Sequence, residues 1–295
     1  MIYDTIFIEN TLWWIRLIMI DQDDIFKFSD MHRVLAQGNG FIYLLPHPDL
    51  HRWVSNYTVT FPSESMISDN YTVLPHGSAT LVFSFDGNTI DSNLFGPATK
   101  PCRVGTHANL FSMMLIIEFQ PAGLYPFTNV KQSELTDRMI PFELINPKLS
   151  RSIAETLYNF LSLNELVAGI DSLMLSSLHT LYPRALSQTT RLIIDNMGNI
   201  STKELSDSVY YSERHLSRMY HQYLGMSVKS FSRMVRINKS IRLLHNPLHS
   251  VTCASYATGY YDLSHFIHDF ESVCGMTPQQ YRSNMSDFYS QIAKF

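Results

Sequence analysis

Four basic or polar side chains fall on one face of a short amphipathic segment in the last third of the chain. Their spacing of three and four residues is that of neighbours on a helix, and they are Arg214, Ser217, Arg218 and His221. The opposite face is apolar and carries Leu216, Met219, Tyr220, Tyr223 and Leu224. Guanidinium groups and hydroxyls presented together on a helix are suited to hydrogen bonds with phosphates and with base edges in the major groove. The pattern predicts a nucleic-acid contact, and solvated arginines on a surface helix are the alternative interpretation.

A second segment, about fifty residues further on, has the same arrangement with fewer charges. Its outward face carries Leu263, Ser264, Ile267 and His268, while Phe266, Phe270 and Val273 point inward. Asp269 and Glu271 lie close by, and we expect their carboxylates to oppose binding to phosphate. Alternative roles are helix stabilisation for Ser264 and partial burial for Ile267. The second segment is therefore predicted to bind DNA more weakly than the first.

A basic helix is predicted between these two segments. It runs over residues 228–244 and ends at Asn246-Pro247. Lys229 and Arg233 are basic residues on this helix, and we expect Lys229 to contact phosphate. For Arg236 the favoured interpretation is an internal salt bridge, with DNA contact as the alternative.

Start and stop signals place each segment in a helix-turn-helix unit. Ser201 and Glu204 form a predicted capping box, Ser212 caps the helix that ends at Gly225, and this first unit spans about 201–224. The second unit spans about 250–274, with Ser250 and Asp262 as caps, a turn at Gly259 and a stop at Gly275. A further capping box, Thr277-Pro-Gln-Gln280, begins a last helix.

Several spaced residues of this region together resemble the AraC/XylS transcriptional regulators. The matching residues are Gly259-Tyr-Tyr-Asp262, Ser264-His-Phe266, Phe270, Gly275-Met-Thr-Pro278 and Tyr281-Arg282, with Ser212, Leu216, Arg218 and Gly225 in the first unit and Arg236, Ser240 and Leu243-Leu244 in the joining helix. The resemblance implies a DNA-binding domain over 184–283 in which each unit inserts its second helix into the major groove. The sequence departs from the family pattern at Ala254-Ser255, at His268 and Glu271, and at Tyr210, where glycine is frequent.

Residues 1–148 are predicted to form a β-rich domain. Tyr71–Leu74, Ala79–Phe85 and Met113–Phe119 have the composition of strands, with turn signals such as Asp86-Gly87-Asn88 between them. A sandwich or small barrel is expected, and Pro46–Leu50, Leu74–Gly77, Glu118–Gly123 and Glu134–Asp137 resemble cupin-like sensor domains that precede this type of DNA-binding domain. The fold class is thus α+β in two domains: a cupin-like sensor domain and an all-α double helix-turn-helix domain.

A helical connector is predicted over 149–183, and residues 284–295 form a tail. The apolar face made by Leu149, Ile153, Leu157 and Phe160 is a candidate surface for a homodimer, and burial against the β domain is the alternative. The C-terminal segment 184–295 is expected to fold and to bind DNA without the rest of the chain.

Charge and cysteine content agree with these expectations. The chain has a net charge of −4, but residues 1–184 hold 11 Lys and Arg against 18 Asp and Glu, a net of −7, and the remainder holds 11 against 8, a net of +3. Three cysteines without CxxC spacing fit a reducing cytoplasm, and the apolar stretch Ile6–Ile20 is too short and too polar to span a membrane. A cytoplasmic location is therefore expected.

Enzyme and metal functions are weaker interpretations. His47, His51, His76 and His107 lie in the first domain, but the His-x-His pair of metal-binding cupins is missing, and no nucleophile elbow, P-loop or dinucleotide fingerprint occurs. One rival interpretation is a DNA-modifying enzyme, which would need a four-cysteine zinc site that three scattered cysteines cannot supply. A metal-dependent cupin enzyme is the second rival interpretation. We expect a regulator without catalytic residues, metal or cofactor, and more specifically an activator. Its expected partners are double-stranded DNA, RNA polymerase, a small-molecule effector and a second copy of the chain.

Overall fold

The computed structural model describes residues 20–62, 67–179 and 182–285. Residues 1–19, which hold nearly all of the apolar stretch Ile6–Ile20, lie outside the described residues, as does most of the predicted tail.

The first half of the chain is built on a seven-stranded antiparallel sheet. The strands are β1 Val34–Gly38, β2 Phe41–Leu44, β3 Val54–Thr60, β4 Thr72–Val73, β5 Thr80–Phe85, β6 Ile90–Phe95, β7 Cys102–Arg103, β8 Met113–Phe119 and β9 Met139–Pro141. The spatial order in the sheet is β1-β2-β3-β8-β5-β6-β9, and a separate two-stranded sheet pairs β4 with β7. This confirms a β-rich N-terminal region, and the predicted Asp86-Gly87-Asn88 turn joins β5 to β6, with Gly87 at φ +102°.

Helices follow the sheet to the end of the described chain. They are α1 Tyr125–Thr128, α2 Gln132–Leu135, α3 Pro147–Asn159, α4 Leu163–Ser176, α5 Arg184–Asp195, α6 Thr202–Ser208, α7 Glu213–Leu224, α8 Val228–Leu244, α9 Val251–Ala257, α10 Leu263–Cys274 and α11 Pro278–Ser283. A β-rich region followed by a helical one is the two-part layout expected from the sequence.

Helices α3 and α4 belong to the core of the β-rich half. Leu149 and Ile153 are fully buried in the core that contains the sheet, and Leu157 and Phe160 pack against that core. Asp171 of α4 accepts a hydrogen bond from the Tyr57 hydroxyl at 3.1 Å and pairs with Arg33 Nη1 at 2.8 Å, which ties the helix to the sheet. The prediction of this face as an exposed homodimer surface is therefore wrong, because burial against the sheet accounts for its apolar residues.

The two helix-turn-helix units differ in how their cores are closed. The core of the sheet continues into the first unit through Leu186, Leu216, Tyr220 and Phe231. A smaller, separate core in the second unit contains Ile237, Leu244, Ala254, Tyr260, Phe266, Phe270, Val273, Cys274 and Tyr281, together with Leu74 from the first half of the chain. The halves of the molecule are thus packed together over both units.

Candidate nucleic-acid interface

The second helix of the first unit, α7, begins and ends where the sequence predicts. The Ser212 hydroxyl accepts a hydrogen bond from the His215 N–H at 3.2 Å, and Gly225 ends the helix at φ +77°. The capping box of the preceding helix is also present, since Ser201 and Glu204 each accept a hydrogen bond from the other's backbone N–H. The start and end of α7 are therefore set by residues whose local hydrogen bonding is evident in the sequence.

The outward face of α7 carries the four side chains predicted to meet DNA. Arg214, Arg218 and His221 are exposed and Ser217 is half-buried, while Leu216, Met219, Tyr220 and Leu224 are buried on the other side. Arg218 Nη2 lies 3.2 Å from Nδ1 of His215, one turn earlier on the helix. The structure thus brings these groups together on an accessible surface from which the guanidinium groups can form hydrogen bonds.

The second unit presents a different face. Ser264 and His268 are exposed, whereas Leu263 and Ile267 are only half-exposed and pack against the core of this unit. The partial burial foreseen for Ile267 is present, and it extends to Leu263. The accessible part of this face carries no arginine or lysine, and the exposed acid Glu271 lies one turn further on, so the face offers hydrogen bonds and apolar contacts instead of the positive charge of α7.

Asp269 is a buried ion-pair partner and not a carboxylate on the outward face. It is 2% exposed, and its oxygens lie 3.0 Å from Arg233 Nε and 3.7 Å from Arg236 Nη2, both on the joining helix α8. The Tyr260 hydroxyl donates a hydrogen bond to Asp269 at 3.0 Å, and burial raises the pKa of that hydroxyl so that it keeps its proton. The expectation that Asp269 opposes phosphate is therefore wrong.

The inward position of Asp269 had a signal in the sequence. Asp269 follows Phe266 by three residues and precedes Val273 by four, which places it on the apolar face of α10. Its basic partners on α8 lie more than thirty residues away in sequence. The favoured interpretation of Arg236 as an internal salt-bridge partner is confirmed, and its guanidinium also lies 5.1 Å from the centre of the Tyr260 ring. Lys229, near the beginning of the same helix, is exposed.

The turns of the two units are not identical. Tyr210 adopts φ +57° at the position where Gly259 adopts φ +85° in the second unit, and its side chain is 95% exposed. The second turn also has one additional residue before its helix cap, because Ser212 and Asp262 are fifty residues apart whereas Ser201 and Ser250 are forty-nine apart. Tyr261, in this longer turn, is 98% exposed.

The histidines of the first half of the chain do not converge. The His47 side chain accepts a hydrogen bond from the Asp49 N–H and caps a 3₁₀ turn, and His51 Nε2 lies 3.0 Å from the Pro46 carbonyl oxygen. His76 is buried beside Ser78, and the His107 ring packs on Phe111. Across residues 20–62, 67–179 and 182–285 no three His, Cys, Asp or Glu side chains are placed to hold a metal ion.

No helix within the described parts of the chain is both long and apolar enough to cross a membrane.

Family comparisons match the two halves separately. Residues 205–284 match the model of a helix-turn-helix domain, and residues 43–141 match a domain of unknown function (DUF6597). The HTH-type transcriptional activator RhaR from Escherichia coli (strain K12) is 30% identical over 112 residues, which cover 38% of this chain and 39% of that protein. The chain therefore spans about two fifths of the length of the curated relatives it matches.

Solved structures of similar proteins include a probable AraC family transcriptional regulator from Rhodopseudomonas palustris CGA009, with 24% identity and a TM-score of 0.32 over 34% of this chain and 96% of that one. Another is ToxT from Vibrio cholerae O395, with 11% identity and a TM-score of 0.39 over 76% of this chain and 92% of that one. Superpositions at this level carry no argument about function. The matched helix-turn-helix model, the two capped units and the similarity to RhaR lead to one conclusion: the C-terminal part of this chain is a helix-turn-helix domain, as the resemblance to the AraC/XylS regulators implies.

Proposed function

We propose that this chain is a sequence-specific DNA-binding transcription regulator that reads DNA with two recognition helices, α7 and α10. The observation that carries the proposal is the division of α7 into a buried apolar face and an exposed face of basic and polar groups. In a helix-turn-helix protein such a face lies in the major groove, and two units on one side of the duplex sit about one turn apart, roughly 34 Å. In this proposal the DNA-binding domain covers residues 184–283.

Each candidate residue has a distinct role in this proposal. Arg214, Ser217, Arg218 and His221 read bases or contact phosphates from the first helix, and Lys229 contacts phosphate. From the second helix Ser264 and His268 supply hydrogen bonds, and the exposed parts of Leu263 and Ile267 contact thymine methyl groups. Phosphate contacts fix the position of the protein, and base contacts give the sequence preference.

The remaining half of the chain is proposed to regulate this activity. Residues 1–148 form a cupin-like domain that senses a small molecule, and 149–183 connect it to the DNA-binding domain. RhaR is described as a transcriptional activator, which favours activation and contact with RNA polymerase here. We also propose a homodimer in the cytoplasm, formed through a surface other than the buried face of α3.

Selection of random-sequence duplexes by the full-length protein tests the proposal. We expect enrichment of a recurrent sequence and an affinity that falls with salt at a slope of about −5 for six phosphate contacts. The double variant Arg214→Ala/Arg218→Ala should lose the sequence preference. Arg191→Ala is the matched control, because it removes a strongly exposed arginine of α5 that is paired with Asp195 and lies outside the candidate interface. Binding without sequence enrichment, or binding that is independent of salt, would contradict the proposal.

A further inference from the structure

A four-residue segment of the β-rich half, Leu74–Gly77, lies between the two hydrophobic cores of the helix-turn-helix region. Leu74 is buried at one end of it, in the core of the second unit. Gly77 lies at the other end, where an added Cβ would be 2.9 Å from Met234 Sδ and 3.4 Å from Met226 Cε, both in the core that includes the first unit. The segment therefore lies in the core of the second unit at one end and, through Met226 and Met234, against the core shared by the sheet and the first unit at the other.

Hydrogen bonds hold this segment against the joining helix. The Asn238 side-chain N–H donates to the Pro75 carbonyl oxygen at 3.1 Å and to the Met234 carbonyl oxygen at 2.9 Å, so the segment is bonded near the middle of α8. Between these contacts the His76 side chain is buried, with its Nδ1 2.7 Å from the Ser78 hydroxyl. A displacement of the segment would thus disturb the surroundings of α8.

The β-rich half also lies close to the end of each recognition helix. The Thr136 hydroxyl lies 3.0 Å from the carbonyl oxygen of Gly225, which ends α7, and 2.9 Å from that of Gln132, so the two oxygens share its proton. Pro101 lies near Gly275, which ends α10, because a Cβ added to that glycine would be 3.4 Å from Pro101 Cγ. Two points on the first half of the chain therefore lie close to equivalent points of the two units.

We propose that Leu74–Gly77 and Thr136 are positioning residues that set the distance and angle between the recognition helices, so that the β-rich half determines which spacing of DNA half-sites the chain accepts. This inference rests on the proposed function. Moving one half-site by one base pair displaces it by about 3.4 Å and rotates it by roughly 34° about the duplex. One unit could follow that movement only if Leu74 left the second core or the segment left its site between Met226 and Met234.

The experiment compares affinities for the selected duplex and for duplexes in which one base pair is inserted or deleted between the half-sites. The spacing preference is the Kd of the full-length chain for a duplex with altered spacing divided by its Kd for the selected duplex, both measured at the same salt concentration. Leu74→Ala should lower this preference about fivefold, the lower end of the usual coupling between two sites. Leu81→Ala is the matched control, because Leu81 is an equally buried leucine of β5 paired with Leu94 and Ile117 within the sheet.

Thr136→Val keeps the shape of the side chain but removes the hydroxyl bonded to Gly225. This variant tests the proposal if Leu74→Ala does not fold. It should also lower the spacing preference. Unchanged ratios in the folded variants, or an equal loss in Leu81→Ala, would overturn the inference while leaving the proposed function in place. A wild-type chain that enriches no sequence would overturn both.

Discussion

The two helix-turn-helix units share a backbone plan and differ in the chemistry that each turns outward. Positions fifty residues apart correspond, because Ser212 and Gly225 bound α7 as Asp262 and Gly275 bound α10. The corresponding outward pairs are Arg214 and Ser264, Ser217 and Ile267, Arg218 and His268, and His221 and Glu271. The comparison shows that the caps and buried residues determine the backbone structure of a unit, whereas the charge of its outward residues can vary without changing that structure.

The inward side also differs between the units. Met219 of the first unit is replaced by Asp269 in the second, and Asp269 pairs with two arginines of the joining helix. The first unit instead packs on the β-rich half, where the rings of Tyr125 and Tyr223 are 4.6 Å apart. In addition to its contact with Leu74, the second unit is thus held to α8 by a buried ion pair, whereas aromatic contacts hold the first unit to the β-rich half.

The largest expected effect is on the second unit alone. Asp269→Ala leaves Arg233 and Arg236 without their carboxylate partner, and loss of one member of a buried pair costs about 3–5 kcal/mol. Because both arginines keep some contact with solvent, we expect a destabilisation near the lower limit, about 3 kcal/mol. Hydrogen exchange of α9 to α11 measures it, with Asp207→Ala, at an exposed aspartate of the first unit, as control. Equal protection in the two variants would show that the pair does not stabilise the second unit.

The next largest effect is on DNA specificity and affinity, and it compares the outward faces of α7 and α10. Arg218→Ala should relax specificity at one base pair by about 1–3 kcal/mol, because a bidentate arginine contact is lost. Lys229→Ala should weaken all sequences alike if that residue contacts phosphate only. His268→Ala, at the position corresponding to Arg218, should cost less than Arg218→Ala in a binding assay at fixed salt. A larger loss for His268→Ala would reverse the assigned order of the two units.

The turns provide a smaller contrast. Tyr210→Gly should stabilise the chain by about 0.5 kcal/mol, because relief of left-handed strain, about 1–2 kcal/mol, exceeds the added entropy of the unfolded chain, about 0.5–1 kcal/mol. Tyr261→Gly is the control, since Tyr261 is equally exposed and is not among the positive-φ residues. It should destabilise the chain in the same denaturation experiment. The same sign of change in both variants would exclude strain at Tyr210 as the cause.

The smallest expected effect is a gain in binding without a gain in specificity. Glu271→Lys replaces an exposed acid of α10 by a base and should tighten binding to all duplexes, by a larger factor for random sequences than for the specific one. The ratio of the two affinities should narrow, and the salt slope should steepen by roughly 0.9 for one new phosphate contact. Glu155→Lys on α3 makes the same charge change away from the candidate interface and should leave the slope unchanged. A variant Glu271→Lys that sharpens specificity would place that residue beside a base.

Local features of this fold were predictable from the sequence, and long-range ones were not. The caps at Ser201, Ser212 and Asp262 depend on hydrogen bonds within three residues, so residue identity was enough to place them. The role of Asp269 depended on arginines that reach it from another helix, and proximity to the outward face misled the interpretation. The face of α3 had the right apolar spacing, but spacing alone could not distinguish burial under the sheet from a dimer contact.

The same distinction holds for the candidate site. Helical periodicity placed Arg214 and Arg218 on one accessible face, because three- and four-residue spacing fixes neighbours on a helix. Periodicity could not foresee that Leu74, far away in sequence, completes the core of the second unit. For the segment Leu74–Gly77 the sequence indicated the end of a strand and a resemblance to sensor domains, but its place between the two cores depends on tertiary packing.

The unbroken core between the sheet and the first helix-turn-helix unit governs how the molecule comes apart. Residues that share one close-packed interior lose their contacts together, so the sheet and the first unit form one cooperative element in unfolding. The second unit, with an interior largely of its own, can open while the rest stays folded. A fragment that begins at residue 184 would leave Tyr125 and Tyr182 behind, both of which pack against Tyr223, and would expose the apolar side of its first unit to water. The two units are therefore expected to unfold in order, so that the second unit can open and leave DNA while the first unit stays folded.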